Sequence, residues 1–423
     1  LSSGTPTWAH SLGATGYETA LLGRMHFIGV DQRHGFEKRP IGEYSAHLPG
    51  ASSTGAPMFI KVPEATSGEE RMGVEMAGYG MTSYHRFDEM VAEATCEYLA
   101  EKAAGQCERP FAAVVGFMMP HCPFFAHKDL FDYYYDRIDV PVPTPNELAQ
   151  EPEAVKNFKR ARGIDEPLTE AQIRVARAAY YGMCEFLDKQ VGRVLDALDE
   201  NGLSQNTLVI YTTDHGEAAG AHGCWWKQNY YEESVGIPIL SRLPGVIPSG
   251  VRNAVICNSI DIGPTVIEMA GATPLPNSDG QSLWMELRGE NDQTRSSETF
   301  SELLGNLGVG IETVPSRMIR TGKWKLYKYA DETAPVLFNL EDDPDEINDL
   351  WSDPKHETLR DELLQQIYSH WQPDQLLKEA RDLDKDMDLL TEWGQTLQPS
   401  IEDTLQVPDN AEDIVLVHPP YFT

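Results

Sequence analysis

Residues 208–217, with the sequence LVIYTTDHGE, decide the fold of this chain. An apolar, largely β-branched run ends abruptly in an acid, an imidazole and a glycine. This pattern is typical of a buried parallel strand that presents polar groups at the carboxyl edge of a sheet, where open α/β sheets bind their ligands. We therefore expect the rest of the chain to be assembled around this strand end.

Composition limits the classes of partner. The chain has 423 residues, enough for more than one domain, and 66 Asp and Glu against 34 Lys and Arg give a net charge of −32. Such acidity argues against nucleic acid and anionic membranes as partners. An anionic small substrate would need a local cluster of cations. No apolar run is long enough to span a membrane.

The six cysteines are scattered and include no CxxC pair, so we expect thiols and a reducing, cytoplasmic compartment. No signal peptide is visible. The chain begins with Leu rather than Met, so we expect that the natural N-terminus lies upstream of Leu1.

Apolar periodicity predicts alternating strands and helices through the first two thirds of the chain. Strands are expected at 17–22, 111–118, 207–213 and 237–240. Helices are expected after Thr5, its predicted N-cap, at 88–104, from Thr169 to just before Gly202, and at 262–270. This alternation predicts an α/β fold with a doubly wound, mostly parallel sheet flanked by helices.

The pattern changes at about residue 298. Short strands at 317–319, 323–329 and 336–340, followed by a helix at 355–370 capped by Asp353, predict a smaller α+β subdomain over residues 298–371. Residues 1–297 then form the larger domain and 372–423 an acidic tail. The tail is expected to wrap either a neighbouring subunit, which would make a homo-oligomer, or the chain's own body.

Asp214 and His215 at the end of the opening strand have two interpretations. A carboxylate and an imidazole together form a candidate site for a divalent metal, and their chemistry suits Mn²⁺, Mg²⁺ or Zn²⁺ better than Ca²⁺. Alternatively, Asp-His-Gly forms a tight turn held by an Asp side-chain hydrogen bond. The two residues alone do not decide between them.

Three histidines and two cations lie at or near other expected strand ends. His26, His121 and His222 are either satisfied individually or converge on one pocket with the opening strand, and the second interpretation is favoured because two of them directly follow strands. Arg24 and Lys227 are either surface charges or the cations that hold an anion in that pocket. No nucleophile stands out, since there is no G-x-S-x-G, P-loop or Rossmann glycine run.

These segments resemble a sulfatase of the alkaline-phosphatase superfamily. The residues that carry the resemblance are Thr213–Glu217, Ala221–Gly223, Trp226–Gln228 and Tyr231–Ser234, then Gly23–Phe27, Pro120–Phe124 and Arg317–Leu326. The amino-acid sequence of Gly23–Phe27 and the Asp-His pair most resemble the branch of choline-sulfatases and phosphonate monoester hydrolases. The resemblance covers about residues 5–370.

The resemblance implies a mechanism and a role for each candidate residue. Sulfatases use a formylglycine, made from a Cys or Ser in a C/S-x-P-x-R motif, and one divalent cation, usually Ca²⁺, with Mn²⁺ or Mg²⁺ as the alternatives. Asp214 and His215 would ligate the metal, and Lys227 would bind a sulfate oxygen. His26 would be the base that breaks down the sulfated intermediate, and His121 would bind sulfate and assist the leaving oxygen.

Two departures from the family pattern stand out. Arg24 occupies a position where the family usually has Lys, and it keeps the charge but not its geometry. No cysteine here lies in C-x-P-x-R. We therefore expect the nucleophile helix and the first, central strand to lie before residue 1. Without that strand, residues 1–423 would leave one edge of the sheet exposed.

The resulting hypothesis is a sulfatase that hydrolyses a small-molecule or saccharide sulfate ester. One alternative is a phosphodiesterase or phosphonate monoester hydrolase of the same superfamily, because the same cations would hold phosphate. The other is an inactive, sulfate-binding relative, which the lack of a nucleophile motif suggests.

Overall fold

A computed structural model describes residues 4–27, 31–42, 69–105, 109–304, 314–397 and 413–416. The strands are β1 (Glu18–Gly23), β2 (Lys38–Ile41), β3 (Gly78–Met81), β4 (Phe111–Gly116), β5 (Phe125–Ala126), β6 (Val209–Thr212), β7 (Ile239–Arg242), β8 (Glu298–Leu303), β9 (Ser316–Thr321), β10 (Trp324–Tyr329), β11 (Val336–Asn339) and β12 (Asp413–Leu416). The α-helices are α1 (Trp8–Ala14), α2 (Arg71–Glu75), α3 (Ser83–Ala103), α4 (Lys128–Tyr135), α5 (Pro145–Gln150), α6 (Glu153–Ala161), α7 (Glu170–Glu200), α8 (Glu232–Val235), α9 (Ile262–Ala270), α10 (Trp284–Leu287), α11 (Glu357–Tyr368) and α12 (Pro373–Leu397).

A three-stranded parallel sheet, in the order β2-β1-β4, forms the centre of the larger domain. Strand β1 is buried along its whole length, and helix α3 packs against it. The other face of α3 contacts α7, which also covers α4. Burial of apolar side chains such as Phe87 and Val91 of α3 drives this packing. The predicted α/β architecture is confirmed.

Helix α7 begins and ends where the sequence predicts. The Thr169 hydroxyl accepts a hydrogen bond from the backbone N–H of Gln172 at 3.3 Å, and Gly202 follows the helix with a φ of +70°. The predicted cap of α1 is wrong. That helix begins after Thr7 rather than after Thr5, because Thr7 forms the reciprocal capping bonds with His10.

Strand β6 of the opening stretch differs from the prediction of a buried parallel strand. It pairs antiparallel with β7, from Val209 opposite Arg242 to Thr212 opposite Ile239, and Tyr211 is 40% exposed. A parallel neighbour would need a crossover connection, usually a long helix, and the segment between β6 and β7 contains only a 3-10 turn at Ala221–Gly223 and the four-residue α8. Within the described ranges, β4 and β6 each pair on one side only, as expected for an exposed sheet edge.

The C-terminal part contains a four-stranded antiparallel sheet in the order β11-β10-β9-β8. Helix α11 covers it, and its side chains Leu363 and Ile367 are buried in one cluster with Ile319, Leu326 and Leu337. The predicted α+β subdomain is confirmed, and its boundaries at residues 298 and 371 stay predictions.

The tail contacts the chain's own body. Strand β12 pairs antiparallel with β3, from Asp413 opposite Met81 to Leu416 opposite Gly78. An oligomer formed through the tail stays a prediction. No helix in the described ranges combines the length and the apolar character that a membrane crossing requires.

A buried ion cluster joins the C-terminal sheet to the larger domain. Lys325 of β10 is fully buried, and its ammonium donates to the Tyr230 carbonyl at 2.7 Å and to the Glu346 carboxylate at 2.7 Å. The Glu232 carboxylate lies 2.6 Å from the same nitrogen. Glu346 also accepts the backbone N–H of Glu232 at 2.6 Å. One cation therefore fixes the segment that follows Lys227.

We predict that Lys325→Met lowers the free energy of unfolding by about 3 to 5 kcal/mol, because it leaves the Glu346 carboxylate buried without its cation. Urea denaturation measures the change. Lys323→Met on the same hairpin is the control: Lys323 is 41% exposed and its partner Glu341 is 73% exposed, so that variant should change stability by less than about 0.5 kcal/mol. Equal losses in the two variants would contradict the prediction.

Candidate anion and metal site

The carboxyl ends of β1 and β4 lie side by side, because Gly23 pairs with Gly116 in the parallel register. The backbone N–H of Arg24 donates to the Gly116 carbonyl at 2.8 Å. Gly23 has a φ of +89°, and a Cβ there would collide with the Gly116 carbonyl, so this turn requires glycine. The Arg24 guanidinium contacts the Met118 sulfur at 2.7 Å. Arg24 is therefore held against the loop that leads to His121.

A buried carboxylate from α3 fixes that loop. Asp88 is fully buried and accepts the backbone N–H groups of Met118 at 2.7 Å and Met119 at 3.0 Å. Burial raises the pKa of Asp88 to about 7, against the opposing effect of the two hydrogen bonds and the charge of Arg24. Asp88 is thus a positioning residue for His121.

His121 and Lys227 are in direct contact. The His121 Nδ1 lies 2.6 Å from the Cys122 carbonyl, and since a carbonyl only accepts, this nitrogen carries the proton. The other ring nitrogen, Nε2, lies 3.2 Å from the Lys227 ammonium and accepts from it. Burial and the charge of Lys227 lower the pKa of His121 to about 4. The site therefore presents a neutral imidazole and an ammonium group together.

Two residues that the sequence did not identify complete this cluster. Glu69 forms an ion pair with Lys227, and its carboxylate lies 3.3 Å from the Arg162 guanidinium. Burial alone would raise the pKa of Glu69, but the charges of Lys227 and Arg162 outweigh it and hold the pKa below its ordinary value. Glu69 and Arg162 lie in no recognisable motif, so only the folded chain reveals them.

The loop that carries Lys227 is held by Glu217. This buried carboxylate accepts the backbone N–H groups of Ala219, at 3.0 Å, and Trp226. Burial raises the pKa of Glu217 to about 7 despite these bonds. Trp226 is 1% exposed and the Lys227 side chain is 22% exposed, so Lys227 is not a free surface charge. Glu217 lies in the quoted strand end, so its position in the motif was the signal available from sequence.

Asp214 and His215 follow β6. Their geometry has features of both structures that the sequence allows, a tight turn and a metal-binding pair. One Asp214 carboxylate oxygen accepts the backbone N–H of His215 at 3.1 Å and the Thr213 hydroxyl at 3.2 Å, as in a tight turn. The other oxygen lies 3.4 Å from His215 Nε2. His215 Nδ1 contacts the Gly216 carbonyl at 2.8 Å, which leaves Nε2 as the ligand atom.

This pair fits a divalent metal as a partial donor set. One carboxylate oxygen and one imidazole nitrogen face the same point, and the second imidazole nitrogen is oriented by a carbonyl. The Asp214 side chain is 80% exposed; partial desolvation raises the pKa of its carboxyl, but His215 and the local hydrogen bonds outweigh this and hold the pKa below its ordinary value, so the carboxylate is ionised. In the described ranges no group of three or more His, Cys, Asp and Glu side chains forms a complete metal site.

The two remaining histidines behave differently from His121. His222 stacks on Tyr231 with ring centroids 3.7 Å apart, and its Nε2 lies 3.5 Å from the Glu233 carboxylate. It is a satisfied histidine rather than part of the cluster at Lys227. His26 lies two residues after Arg24 and has a φ of +54°. Its role stays a prediction, as do the roles of Arg24, His121, Lys227, Asp214 and His215.

The cysteines in the described ranges carry thiols and form no disulfide. Burial raises the pKa of Cys224 to about 12, so its thiol is not a nucleophile at neutral pH. Burial likewise raises the pKa of Cys122 well above its ordinary value. This agrees with the absence of a C-x-P-x-R motif in the sequence.

Comparison with known proteins identifies the family. A family model described as "Sulfatase" matches residues 2–272, and one described as "N-sulphoglucosamine sulphohydrolase, C-terminal" matches residues 220–372. The choline-sulfatase of Rhizobium meliloti (strain 1021) is 30% identical over 367 residues, which are 84% of this chain and 68% of that protein. The chain belongs to the sulfatase family. The resemblance seen in the sequence is confirmed, and so is the class of sulfuric ester hydrolases.

Solved structures agree on the fold of this sulfatase chain. The phosphonate monoester hydrolase of Silicibacter pomeroyi matches with a TM-score of 0.67 and 22% identity, over 88% of this chain and 80% of that one. A structure in complex with its substrate D-glucosamine-2-N,6-O-disulfate matches with a TM-score of 0.62 and 18% identity, over 91% of this chain and 84% of that one. The chain spans only 33% to 50% of the length of the arylsulfatase K proteins that it matches. Sulfatases generally use a divalent metal and a formylglycine.

We predict that Asp88 makes the stability of this sulfatase chain depend on pH. Its pKa is raised in the folded protein, which therefore keeps a proton that the unfolded chain releases between about pH 4 and 7. Its contribution to the free energy of unfolding must fall as pH rises through this window, by about 1.4 kcal/mol per pH unit at its steepest.

The measurement is urea denaturation of the wild type and of Asp88→Asn between pH 5 and 8. The free energy of unfolding of the wild type minus that of Asp88→Asn should decrease as pH rises and level off above pH 7. Glu93→Gln, an exposed acid on the same helix, is the control and should follow the wild type. A pH-independent difference for Asp88→Asn would show that the carboxyl does not titrate in this window.

Proposed function

We propose that the complete protein is a sulfatase that hydrolyses a sulfate ester of a small molecule or saccharide. The observation that carries the proposal is the contact between a neutral His121 and the Lys227 ammonium at 3.2 Å, in a chain of the sulfatase family. A proton acceptor beside an ammonium suits an ester whose leaving oxygen needs a proton and whose sulfate needs a cation.

In this proposal Lys227 binds a sulfate oxygen and Arg24 supplies a second cation at the same edge. Lys227 is 22% exposed, so it is shielded but reachable. Arg24 is placed by the β1 turn, and its charge acts on His121. Partial burial strengthens the attraction of both cations for an anion, compared with the same charges in water.

His121 and Lys227 share the proton that the leaving oxygen would take. His121 Nε2 has no proton of its own because Nδ1 donates to the Cys122 carbonyl. The proton nearest to Nε2 is that of the Lys227 ammonium. The pair can pass one proton to the departing alcohol, while Nδ1 keeps the ring oriented. We assign His26 the role of a base on the β1 side of the site.

Asp214 and His215 hold the metal in this proposal, and we propose Ca²⁺. A divalent cation bound there supplies a Lewis acid that polarises the sulfate. The carboxylate oxygen and His215 Nε2 would provide two of its ligands. Residues 1–423 contain no C/S-x-P-x-R motif, so we assign the formylglycine to none of them.

The second candidate function is that of a phosphodiesterase or phosphonate monoester hydrolase. It is supported by the structural likeness to the Silicibacter pomeroyi enzyme, and the cations at Arg24 and Lys227 would also hold phosphate. An inactive sulfate-binding relative is the third. Rates on an aryl sulfate and an aryl phosphodiester, measured with the complete protein, separate these functions. Higher efficiency on the diester favours the second, and turnover of neither favours the third.

We predict that His121→Ala in the complete protein lowers kcat on 4-nitrophenyl sulfate by about 100-fold or more, because it removes the group that orders the transferable proton. Steady-state kinetics measure the loss, and thermal unfolding checks that the variant is folded. His370→Ala, at an exposed histidine of the C-terminal part, is the matched control and should retain wild-type turnover. Normal turnover by His121→Ala would remove His121 from the mechanism.

A separate prediction concerns the metal. Ca²⁺ at 100 times its Kd should stabilise the complete protein by about 2.7 kcal/mol, and Asp214→Asn should abolish most of that stabilisation because it replaces an anionic ligand. Thermal unfolding with EDTA and with added Ca²⁺, Mn²⁺ or Mg²⁺ identifies the ion. Asp188→Asn, an exposed acid on α7, controls for general charge effects. An unchanged Ca²⁺ response in Asp214→Asn would place the metal elsewhere.

A further inference from the structure

The anion site contains a carboxylate of its own. Glu69 pairs with Lys227, lies 3.3 Å from the Arg162 guanidinium, and exerts its charge on His121. Its side chain is 13% exposed. The other titratable groups that sense Glu69 are Cys122 and Glu217. A residue that repels anions thus lies in contact with the cation that we propose binds the anion.

This arrangement matters because esters of sulfate and phosphate differ in charge. A sulfate ester carries one negative charge. A phosphate monoester has a second pKa near 6 and carries about two negative charges above neutral pH. A phosphodiester or phosphonate monoester carries one. Beside an ionised carboxylate in a shielded site, each additional charge on the ligand is repelled.

We infer that Glu69 selects the charge of the ester, admitting monoanionic esters at Lys227 and disfavouring dianionic phosphate monoesters. The inference rests on the proposed function, since it takes Lys227 to be the anion-binding cation. Glu69 is a specificity residue here and takes no part in bond breaking.

The local contacts keep Glu69 charged and in place. Burial alone would raise its pKa, but Lys227 and Arg162 hold the pKa below its ordinary value, so Glu69 is ionised at neutral pH. The Arg162 guanidinium also lies near enough to the carboxylate to orient it independently of Lys227. When Lys227 turns towards a ligand, Arg162 retains the carboxylate within the site.

Calorimetric titration of the complete protein, with Ca²⁺ present at pH 8, tests the inference. The ligands are methyl sulfate and methyl methylphosphonate, both monoanions, and methyl phosphate, a dianion at this pH. The wild type should bind both monoanions at least tenfold more tightly than methyl phosphate. Equal affinity of the wild type for all three ligands would overturn the inference without any variant.

Glu69→Gln keeps the shape of the side chain and removes its charge. We expect the ratio of the methyl phosphate Kd to the methyl sulfate Kd to fall at least tenfold in this variant, and to be retained in Glu69→Asp. Glu70→Gln, at the exposed neighbouring acid, is the matched control and should keep the wild-type ratio. A merely structural role of Glu69 would change both affinities by the same factor and leave the ratio intact, which would refute charge selection.

Lys227→Met separates this inference from the proposed function. If this variant binds methyl sulfate as the wild type does, Lys227 is not the anion-binding cation and the proposed site fails together with the inference. If Lys227→Met loses binding while Glu69→Gln keeps the wild-type ratio, the proposed site stands and only charge selection by Glu69 is wrong.

Discussion

The buried carboxylate of Glu217 accepts backbone N–H groups from Ala219 and Trp226, and so fixes both sides of the loop that delivers Lys227. The loop needs this support because Ala219, Trp226 and Gln228 all have positive φ angles. Each such residue costs about 1 kcal/mol or more. A hydrogen bond to a neutral acceptor contributes about 0.5 to 1.5 kcal/mol and one to a charged acceptor about 1.5 to 3 kcal/mol, so the two bonds of Glu217 offset much of this cost. These two hydrogen bonds hold the loop in the conformation that places the Lys227 ammonium against His121.

The same principle recurs on the other side of the site. Asp88 fixes the peptide groups before His121 as Glu217 fixes those before Lys227, and burial raises the pKa of both carboxyl groups. A chain with a net charge of −32 thus uses two of its acids to bind backbone N–H groups next to Arg24 and Lys227, the cations that we propose for anion binding. The local arrangement overrides the global charge.

Sequence reasoning found the elements and the polar strand ends but not the pairings between distant residues. The extent of α7 and its Thr169 cap could be predicted because the signals that start and end a helix lie within or beside the helix itself. Asp214 and His121 were found because they follow predicted strands, and the family resemblance then assigned roles to them and to Lys227. Glu69 lies 158 positions before Lys227 in the sequence, and no spacing rule links two such charges. The antiparallel pairing of β6 was missed for a related reason, since an apolar strand does not encode its neighbour.

The cluster around Lys325 has a consequence for biosynthesis. Its ammonium holds the Tyr230 carbonyl and the Glu232 carboxylate, close behind the Lys227 loop, yet Lys325 is translated about a hundred residues later. Because chains emerge from the ribosome N-terminal end first, the downstream end of the Lys227 loop is anchored only after β10 has been synthesised. The apolar core of the larger domain also contains Met318, Tyr327 and Phe338 of the C-terminal sheet, so this core too is completed only after that sheet has been made. The anion site therefore reaches its final geometry only after β10 has been made.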